Sequence, residues 1–144
     1  TPLMLALLCE PACTGQFVTI QREVADRLLA GPGSKAYGSI SVVAQTLSRV
    51  ERLATLPPEC FWPRPDVTSA MVSLTPRDDH GIDDLPGFAG FCQGIFANRR
   101  KQLGKAFAHL TDGAPLPAGI EATDRAERLD VPTIAGLFRS VRGG

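Results

Sequence analysis

The sequence predicts a mixed α/β fold that is followed by a small all-α domain. Strand-like runs rich in β-branched and aromatic residues occur in the first half of the chain. After residue 84 the apolar residues recur at helical spacing, and an acidic, turn-forming segment separates the two patterns. With 144 residues and 44% hydrophobic content, the chain can bury a core. We therefore divide it into an α/β part at 1–76, a linker at 77–84 and a helical domain at 85–144.

The α/β part is predicted to begin with a helix, a strand and a second helix. Thr1 suits the N-cap and Pro2 the first helical position, so we expect a helix through Leu8. The run Gly15–Gln21 contains strand formers in partial alternation. In Arg22–Ala30 the apolar residues follow helical spacing, and the Gly-Pro pair that comes next ends the helix.

A glycine-rich loop and an antiparallel strand pair complete this part. The segment GPGSKAYG, at 31–38, is predicted to be a loop. A helical or mixed segment at 41–48 leads to strands at 50–56 and 67–74, and apolar residues alternate with polar ones in the last strand. Four of the twelve prolines lie between Pro57 and Pro65, so the connection between these strands is stiff.

The helical domain is predicted to contain three helices. Their apolar residues are Phe88, Phe91, Ile95 and Phe96 in the first, Leu103, Phe107 and Leu110 in the second, and Ile134, Leu137, Phe138 and Val141 in the third. If the second helix begins near Asn98, Arg99 falls near its apolar side, so either a break at Asn98 or a snorkelling guanidinium is expected. Lys101 and Lys105 then lie one turn apart, on the face opposite the apolar residues.

Charge is balanced in total but not along the chain. Fifteen acidic residues match fifteen basic ones, so net charge gives no indication of a nucleic-acid partner. Between Leu85 and Thr111, however, no residue is acidic, and the basic residues there are Arg99, Arg100, Lys101 and Lys105. This distribution predicts a positive face. A solvated basic surface without a ligand is the alternative.

Neither a metal site nor a membrane segment is expected. The candidate metal ligands are scattered without zinc-site spacing, and they are Cys9, Cys13, Cys60, Cys92, His80 and His109. Buried or half-buried free thiols in a reducing compartment are the preferred interpretation. No apolar run approaches the roughly 20 residues of a membrane span, and the first residues lack the features of a secretory signal. We therefore expect a cytoplasmic protein.

Four sequence runs, taken together, resemble one protein family. They are QREVADRLLAGPGSKAYGSISVVAQ, FWPRPDVTSAMVSL, FANRRKQLGKAF and GIEATDRAERLDV. In this order and spacing they are similar to the small-subunit ribosomal RNA adenine dimethyltransferases, which move methyl groups from S-adenosylmethionine to the exocyclic nitrogen of adenines. The resemblance implies that 1–76 is the C-terminal part of a Rossmann-like methyltransferase sheet. It implies that 85–144 is a helical rRNA-binding domain.

The resemblance also implies that some of the family's motifs are absent. The glycine-rich cofactor turn, the acidic residue that grips the ribose and the Asn-Leu-Pro-Tyr-like motif have no counterpart in this sequence. The glycines at 31–38 follow a helix, which is the wrong context for a dinucleotide-type turn. We therefore expect no cofactor-binding residue here, weak or no binding of S-adenosylmethionine, and no activity of this chain by itself.

Phe61 is the residue to which the resemblance gives a catalytic role. A paired adenine must be splayed into a pocket before its amine can react, and an aromatic ring can then hold the base by stacking. By similarity Phe61 is this platform, and the prolines around it reduce the entropy lost in holding the ring. The alternative is that Phe61 and Trp62 only cap the sheet.

Further residues are implied to contact ribosomal RNA. Arg27, Lys35 and Tyr37 lie by resemblance on the RNA side, although Tyr37 could equally anchor its loop through the hydroxyl. The basic residues Arg99, Arg100, Lys101 and Lys105 correspond to a family stretch that contacts rRNA, and such contacts set affinity without reading bases. Arg125 is a further candidate that could instead pair with Glu121 or Asp130.

Three alternatives stay open at this point. One is a large-subunit rRNA adenine methyltransferase of the antibiotic-resistance type, which shares the F-x-P-x-P region. Another is a non-catalytic RNA-binding or assembly protein. The last is an unstable half-domain whose exposed sheet edge makes it self-associate.

Overall fold

The structure is a computed structural model, and it describes residues 2–97 and 101–142. Within these residues six helices and three strands follow one another along the chain. They are α1 (Pro2–Leu7), β1 (Gln16–Gln21), α2 (Arg22–Leu29), α3 (Ser39–Leu47), β2 (Ser48–Leu56), β3 (Ser69–Pro76), α4 (Leu85–Phe96), α5 (Leu103–Leu110) and α6 (Val131–Arg142). The predicted change from a mixed α/β pattern to a helical one is confirmed.

The three strands form one sheet in the order β1-β3-β2. β3 is antiparallel to both neighbours, so the predicted antiparallel pair of β2 and β3 is confirmed. Both neighbours are antiparallel to β3, so the strands β1 and β2 run in the same direction. Helices α2 and α3 provide the crossover between them. At one end of the sheet, Gln21 and Leu56 both lie opposite Ser69. The carboxyl ends of β1 and β2 therefore meet there.

The central strand β3 carries the most buried face of the sheet. Ala70, Val72 and Leu74 are fully buried, as the alternating pattern predicts. Ser73, on the other face, is also buried. A strand with a neighbour on each side is shielded by both of them, which explains why a serine on the second face is covered.

Helix α3 connects the two halves of the chain. It packs against α2 on one side and against α4 and α6 on the other, so the buried side chains of both halves belong to one core. Val42 and Ala44 of α3 are fully buried in this core. At the start of α3, the Ser41 hydroxyl accepts a hydrogen bond of 3.1 Å from the N–H of Gly38. The division into domains at 77–84 stays a prediction.

The helical half begins and ends close to the predicted positions, except at α5. Asp84 caps α4 by accepting a hydrogen bond of 3.0 Å from the N–H of Gly87. The expected start of α5 near Asn98 is wrong, because the helix begins at Leu103. The backbone N–H of Leu103 donates to the carbonyl of Asp124 at 2.7 Å, so a distant loop caps the helix at this point. The break considered at Asn98 lies outside the described residues.

The helices are short. The longest in residues 2–97 and 101–142, α4 and α6, contain 12 residues each. In these parts of the chain no helix has both the length and the hydropathy needed to cross a lipid bilayer.

Candidate nucleic-acid interface

The proline-rich loop between β2 and β3 lies at the carboxyl ends of the two same-direction strands. It leaves the sheet after Leu56 and returns at Ser69, and these residues face each other across the ladder together with Gln21. In α/β folds, ligands bind outside the carboxyl ends of the parallel strands. The loop is therefore at the edge of the sheet where a substrate site is expected. We call residues 57–68 the aromatic loop.

The aromatic loop is braced in two ways. Pro57 and Pro58 lead into a 3₁₀ turn over Pro58–Cys60, which the N–H of Phe61 closes onto the Pro58 carbonyl at 3.2 Å. Further along, the guanidinium of Arg64 donates to the carboxylate of Glu59 at 2.7 Å. This ion pair is exposed and contributes about 0 to 1 kcal/mol to stability. Its main effect is to restrict the residues that it spans.

Phe61 is half-buried in this loop. Its backbone is extended, with φ of −121° and ψ of 148°. Among the described residues, Phe61 is neither part of the hydrophobic core nor one of the half-buried side chains that pack on it. The ring is therefore not enclosed by the core. Stacking on an adenine stays a prediction for this residue.

Trp62 is far more exposed than Phe61. The residue is 96% exposed, which is more than any other large apolar residue in the described parts of the chain. The peptide bond to Pro63 is cis. The sequence leaves two interpretations of Trp62, stacking on a base or capping of the sheet, and this exposure does not fit a cap.

A polar groove lies at the foot of the aromatic loop, and sequence analysis did not predict it. It has a volume of about 530 Å³ and is lined by Gln21, Arg22, Glu23, Asp26, Asp66, Val67 and Thr68. Of its carboxylates, Asp26 forms an ion pair with Arg52 of β2. Carboxylates accept hydrogen bonds from amines and repel phosphates. The groove also contains Arg22, and Glu23 pairs with Arg27, so its charge is mixed and it offers both acceptors and donors.

The RNA contact predicted for Tyr37 is not compatible with the structure. Tyr37 is fully buried, its hydroxyl donates to the carbonyl of Leu129 at 2.7 Å, and its ring packs edge-on against Phe96 with centroids 5.7 Å apart. Burial, with a smaller contribution from the charge of Asp130, raises the pKa of Tyr37 well above its usual value. The tyrosine therefore anchors the glycine-rich loop, which was the structural alternative.

Arg27 and Lys35 are both on the surface. Arg27 forms an ion pair with Glu23 at 3.0 Å, one turn earlier on α2. Lys35 is exposed on the glycine-rich loop. This loop is fixed to the helical half, because the N–H of Gly33 donates to the carbonyl of Glu127 at 2.8 Å. RNA binding by Arg27 and Lys35 stays a prediction.

Two of the four basic residues between Leu85 and Thr111 line a groove between α4 and α5. Lys101 and Lys105 are exposed, whereas Leu103 and Phe107 of the same segment are buried. The groove has a volume of about 810 Å³, and its described lining is Gly94, Ala97, Lys101, Gln102, Lys105, Ala106, His109 and Leu110. Arg99 and Arg100 lie outside the described residues. We call this feature the lysine groove.

Arg125 is exposed, and its ion pair in the structure is with Glu127, at 4.0 Å. Asp130, one of the two partners considered from the sequence, has another role. Asp130 caps α6 by accepting from the N–H of Thr133 at 2.9 Å, and the hydrogen bonds from Thr133 lower the pKa of this carboxyl. A separation of 4.0 Å between exposed groups makes a weak interaction. Arg125 therefore stays a candidate RNA contact.

Two strand-to-helix connections bear on the cofactor that the resemblance implies. Gln21, the last residue of β1, is followed directly by Arg22, the first residue of α2, so no glycine-rich turn separates this strand from its helix. The connection from β3 to α4 contains a single glycine, Gly81. In residues 2–97 and 101–142, no group of three or more His, Cys, Asp or Glu side chains is placed to hold a metal ion.

Comparison with known proteins gives consistent results. A family model described as "Ribosomal RNA adenine dimethylase" matches residues 1–141. The ribosomal RNA small subunit methyltransferase A of Acidobacterium capsulatum is 43% identical over 141 residues, which cover 92% of this chain and 50% of that protein. The enzyme of the same name from Maridesulfovibrio salexigens is 36% identical over 143 residues, which cover 96% and 53%. The chain thus spans about half the length of the curated relatives that it matches.

Two solved structures show the same fold. A dimethyladenosine transferase from Plasmodium falciparum matches with a TM-score of 0.81 at 18% identity, over 99% of this chain and 62% of that one. The 23S rRNA methyltransferase ErmE matches with a TM-score of 0.67 at 16% identity, over 97% and 59%. At these identities the likeness concerns the fold. It confirms that the α/β part is similar to methyltransferases of the Rossmann-like class.

Proposed function

Because the chain belongs to the ribosomal RNA adenine dimethylase family, we propose that it forms the RNA-contacting half of an enzyme that dimethylates adenines of small-subunit rRNA at N6. The observation that carries this proposal is the position of Phe61. Its ring lies on a braced loop at the carboxyl ends of β1 and β2, and it is not enclosed by the core. The names of the relatives, ribosomal RNA small subunit methyltransferase A, favour small-subunit rRNA as the substrate.

In this proposal Phe61 holds the target adenine by stacking. The exocyclic amine of a paired adenine is out of reach, so the base must leave its stack. A ring whose orientation is already fixed loses little entropy when the base arrives. The polar groove at the foot of the loop offers the carboxylate of Asp66 as an acceptor for an amine. The chain thereby contributes base positioning to the reaction.

The lysine groove is proposed to hold the rRNA backbone. Lys101 and Lys105 offer two exposed ammonium groups to phosphates, and Arg99 and Arg100 belong to the same basic run. Arg27, Lys35 and Arg125 are proposed as further contacts on the surface. Contacts of this kind position the small subunit without reading its sequence. A cytoplasmic location is part of the proposal, since that is where ribosomal subunits are found in a bacterium.

S-adenosylmethionine supplies the methyl group in this family, and we propose that it is held by residues outside these 144. The strand-to-helix connections of the chain do not provide a glycine-rich turn for it. The chain by itself is therefore expected to bind the cofactor weakly or not at all and to be inactive. Turnover by the 144-residue chain without an added partner would contradict this expectation.

Self-association is a further part of the proposal. β1 pairs on one edge with β3, and the described sheet has no strand on its other edge. Phe17 on this strand is 78% exposed. An open edge with exposed apolar residues favours pairing with another chain. Light scattering at increasing protein concentration tests this, because a constant monomer mass would contradict it.

The proposed function is tested by replacing Phe61 in a complete enzyme that contains this sequence. Methyl transfer to adenines is measured with small ribosomal subunits as the substrate. Phe61→Ala is expected to reduce kcat/KM by about 5- to 100-fold, the equivalent of losing one stacked base. Phe61→Tyr keeps the ring and serves as the control. Unchanged methylation by Phe61→Ala, or methylation of large-subunit rRNA in its place, would overturn the proposal.

A further inference from the structure

Trp62 exposes an indole ring that the fold does not use. Buried tryptophan and other aromatic side chains typically remove roughly 150–250 Å² from water, whereas Trp62 remains 96% exposed. Of the other apolar side chains of the aromatic loop, only Val67 is among the exposed large ones. The ring is thus a single exposed feature and not part of a broad apolar patch.

The loop that carries Trp62 is restrained on both sides of it. Pro63 and Pro65 follow the tryptophan, and Pro57 and Pro58 precede it. The ion pair between Glu59 and Arg64 spans the residues between them. A ring presented on a restrained loop loses less freedom on binding than a ring on a mobile one. These restraints therefore favour a binding role for the ring.

The two aromatic residues of the loop differ in exposure. Phe61 has an extended backbone and is half-buried, whereas Trp62 is open to solvent. Trp62 therefore offers a ring face for a base in addition to the one proposed for Phe61.

We propose that Trp62 is a second nucleobase platform, on which an unpaired base near the target adenine stacks. This inference rests on the proposed function. Base–aromatic stacking tolerates any base, and a nearby cation adds to it. The exposed guanidinium of Arg64 lies two residues away, although Glu59 partly neutralises it. A protein partner would bury Trp62 within an apolar interface core, and the substitutions below distinguish such a partner from a base.

The chain allows a direct measurement of this ring. Trp62 is the only tryptophan among the 144 residues, so selectively excited tryptophan emission reports on it alone. Single-stranded, adenine-containing RNA with a fluorescent label is titrated with the chain. Label anisotropy measures binding, and tryptophan emission measures stacking. We expect the tryptophan emission of a fixed amount of chain to fall when the same RNA is added to it, with the dissociation constant that label anisotropy gives.

The two readouts separate failure of this inference from failure of the proposed function. A rise in anisotropy with unchanged tryptophan emission would overturn the Trp62 platform and leave RNA binding intact. Constant anisotropy at all concentrations would overturn RNA binding by this chain, and the platform with it.

Substitutions complete the test, and the exposure of Trp62 means that they should leave the fold intact, which circular dichroism checks. Trp62→Ala is expected to weaken RNA binding by about 5- to 100-fold, and Trp62→Phe to retain most of the affinity. Equal affinity of the wild type and Trp62→Ala would overturn the inference and leave a protein partner as the explanation for the exposed ring.

A matched control moves the only tryptophan to another exposed position. Phe17 lies opposite Ser73, whereas the aromatic loop joins the sheet at Ser69, so Phe17 is near the other end of β1. In the double variant Trp62→Phe, Phe17→Trp, RNA should leave the emission unchanged. Equal quenching at this position would show an unspecific effect and overturn the assignment to Trp62.

Discussion

The hydroxyl of Tyr37 donates a hydrogen bond of 2.7 Å to the backbone carbonyl of Leu129, which is 92 residues away in the chain. This bond connects the glycine-rich loop of the α/β part to the segment just before α6. Gly33 makes a second connection of the same kind to Glu127. A loop that the sequence suggests as an RNA-facing element is thus also a structural link between the two halves.

Replacing Tyr37 should therefore affect stability and not RNA binding. Tyr37→Phe removes the hydroxyl that donates to the partly buried carbonyl of Leu129. We therefore expect the free energy of unfolding to fall by about 1 to 3 kcal/mol. Urea denaturation measures this loss. RNA affinity of the folded variant should equal that of the wild type, since the ring is enclosed. Reduced RNA affinity with an unchanged free energy of unfolding would instead show that Tyr37 contacts RNA.

The same tyrosine predicts a dependence of stability on alkaline pH. Burial raises the pKa of Tyr37 in the folded state above the value of about 10 in the unfolded chain. Its contribution to stability is then complete below about pH 10 and is lost as the pH rises towards the folded-state value. Tyr37 is the only tyrosine, so tyrosinate absorbance follows it directly. Tyrosinate should appear together with unfolding, and ionisation in a folded chain would contradict this.

Gly104 is predicted to be essential for the packing of α5. A Cβ at this position would lie 2.8 Å from the Cβ and 3.2 Å from the Cα of Ala122. Gly104→Ala must displace backbone, and we expect a loss of about 1 to 3 kcal/mol in the free energy of unfolding. Gly90 of α4 has open space around it, so Gly90→Ala should stabilise by up to about 1 kcal/mol. If urea denaturation gave both variants the same sign, the close contact at Gly104 would be disproved.

The cysteines should differ in their reactivity. Burial raises the pKa of the Cys92 thiol to about 12, so it carries almost no thiolate at neutral pH. Cys9 and Cys60 are exposed, so the prediction of buried or half-buried thiols is wrong for these two. Cys60 lies in the aromatic loop. Alkylation followed by peptide mass spectrometry should label Cys60 in the native chain and Cys92 only in denaturant. Equal labelling rates under native conditions would show that Cys92 is not enclosed.

The lysine groove predicts a measurable salt dependence of RNA binding. Lys101→Ala and Lys105→Ala should each weaken binding and reduce the slope of log affinity against log salt by about 0.7, the value for one phosphate contact on single-stranded RNA. Arg49 is also exposed, but it lies on β2 opposite Thr75, away from the groove. Arg49→Ala should leave the slope unchanged. An equal effect at all three positions would indicate a general charge effect and no groove.

Local patterns were sufficient to predict most of the secondary structure, and distant contacts explain what they missed. The strands and the helix boundaries near Leu8 and Arg22 follow from residue spacing and capping, which are properties of neighbouring residues. The start of α5 depends on a carbonyl of Asp124, and the burial of Tyr37 depends on Leu129 and Phe96. Neither partner is near in sequence. Spacing alone therefore could not predict either feature.

The candidate site shows the same division. The proline-rich composition predicts a stiff loop, and its place between two strands follows from the sequence. The different exposures of Phe61 and Trp62 depend on how that loop sits on the sheet. The polar groove forms because the fold brings Asp66 near Glu23. Adjacent aromatic residues look alike in a sequence. Only the three-dimensional arrangement separates them.

The position of β3 also constrains the order in which the sheet can assemble. Within the described sheet, β1 and β2 bond to β3 and not to each other. Both earlier strands must therefore leave a gap one strand wide, and this gap closes only after the later segment has been synthesised. The aromatic loop therefore takes its final shape only when β3 pairs with β2, because it connects these two strands.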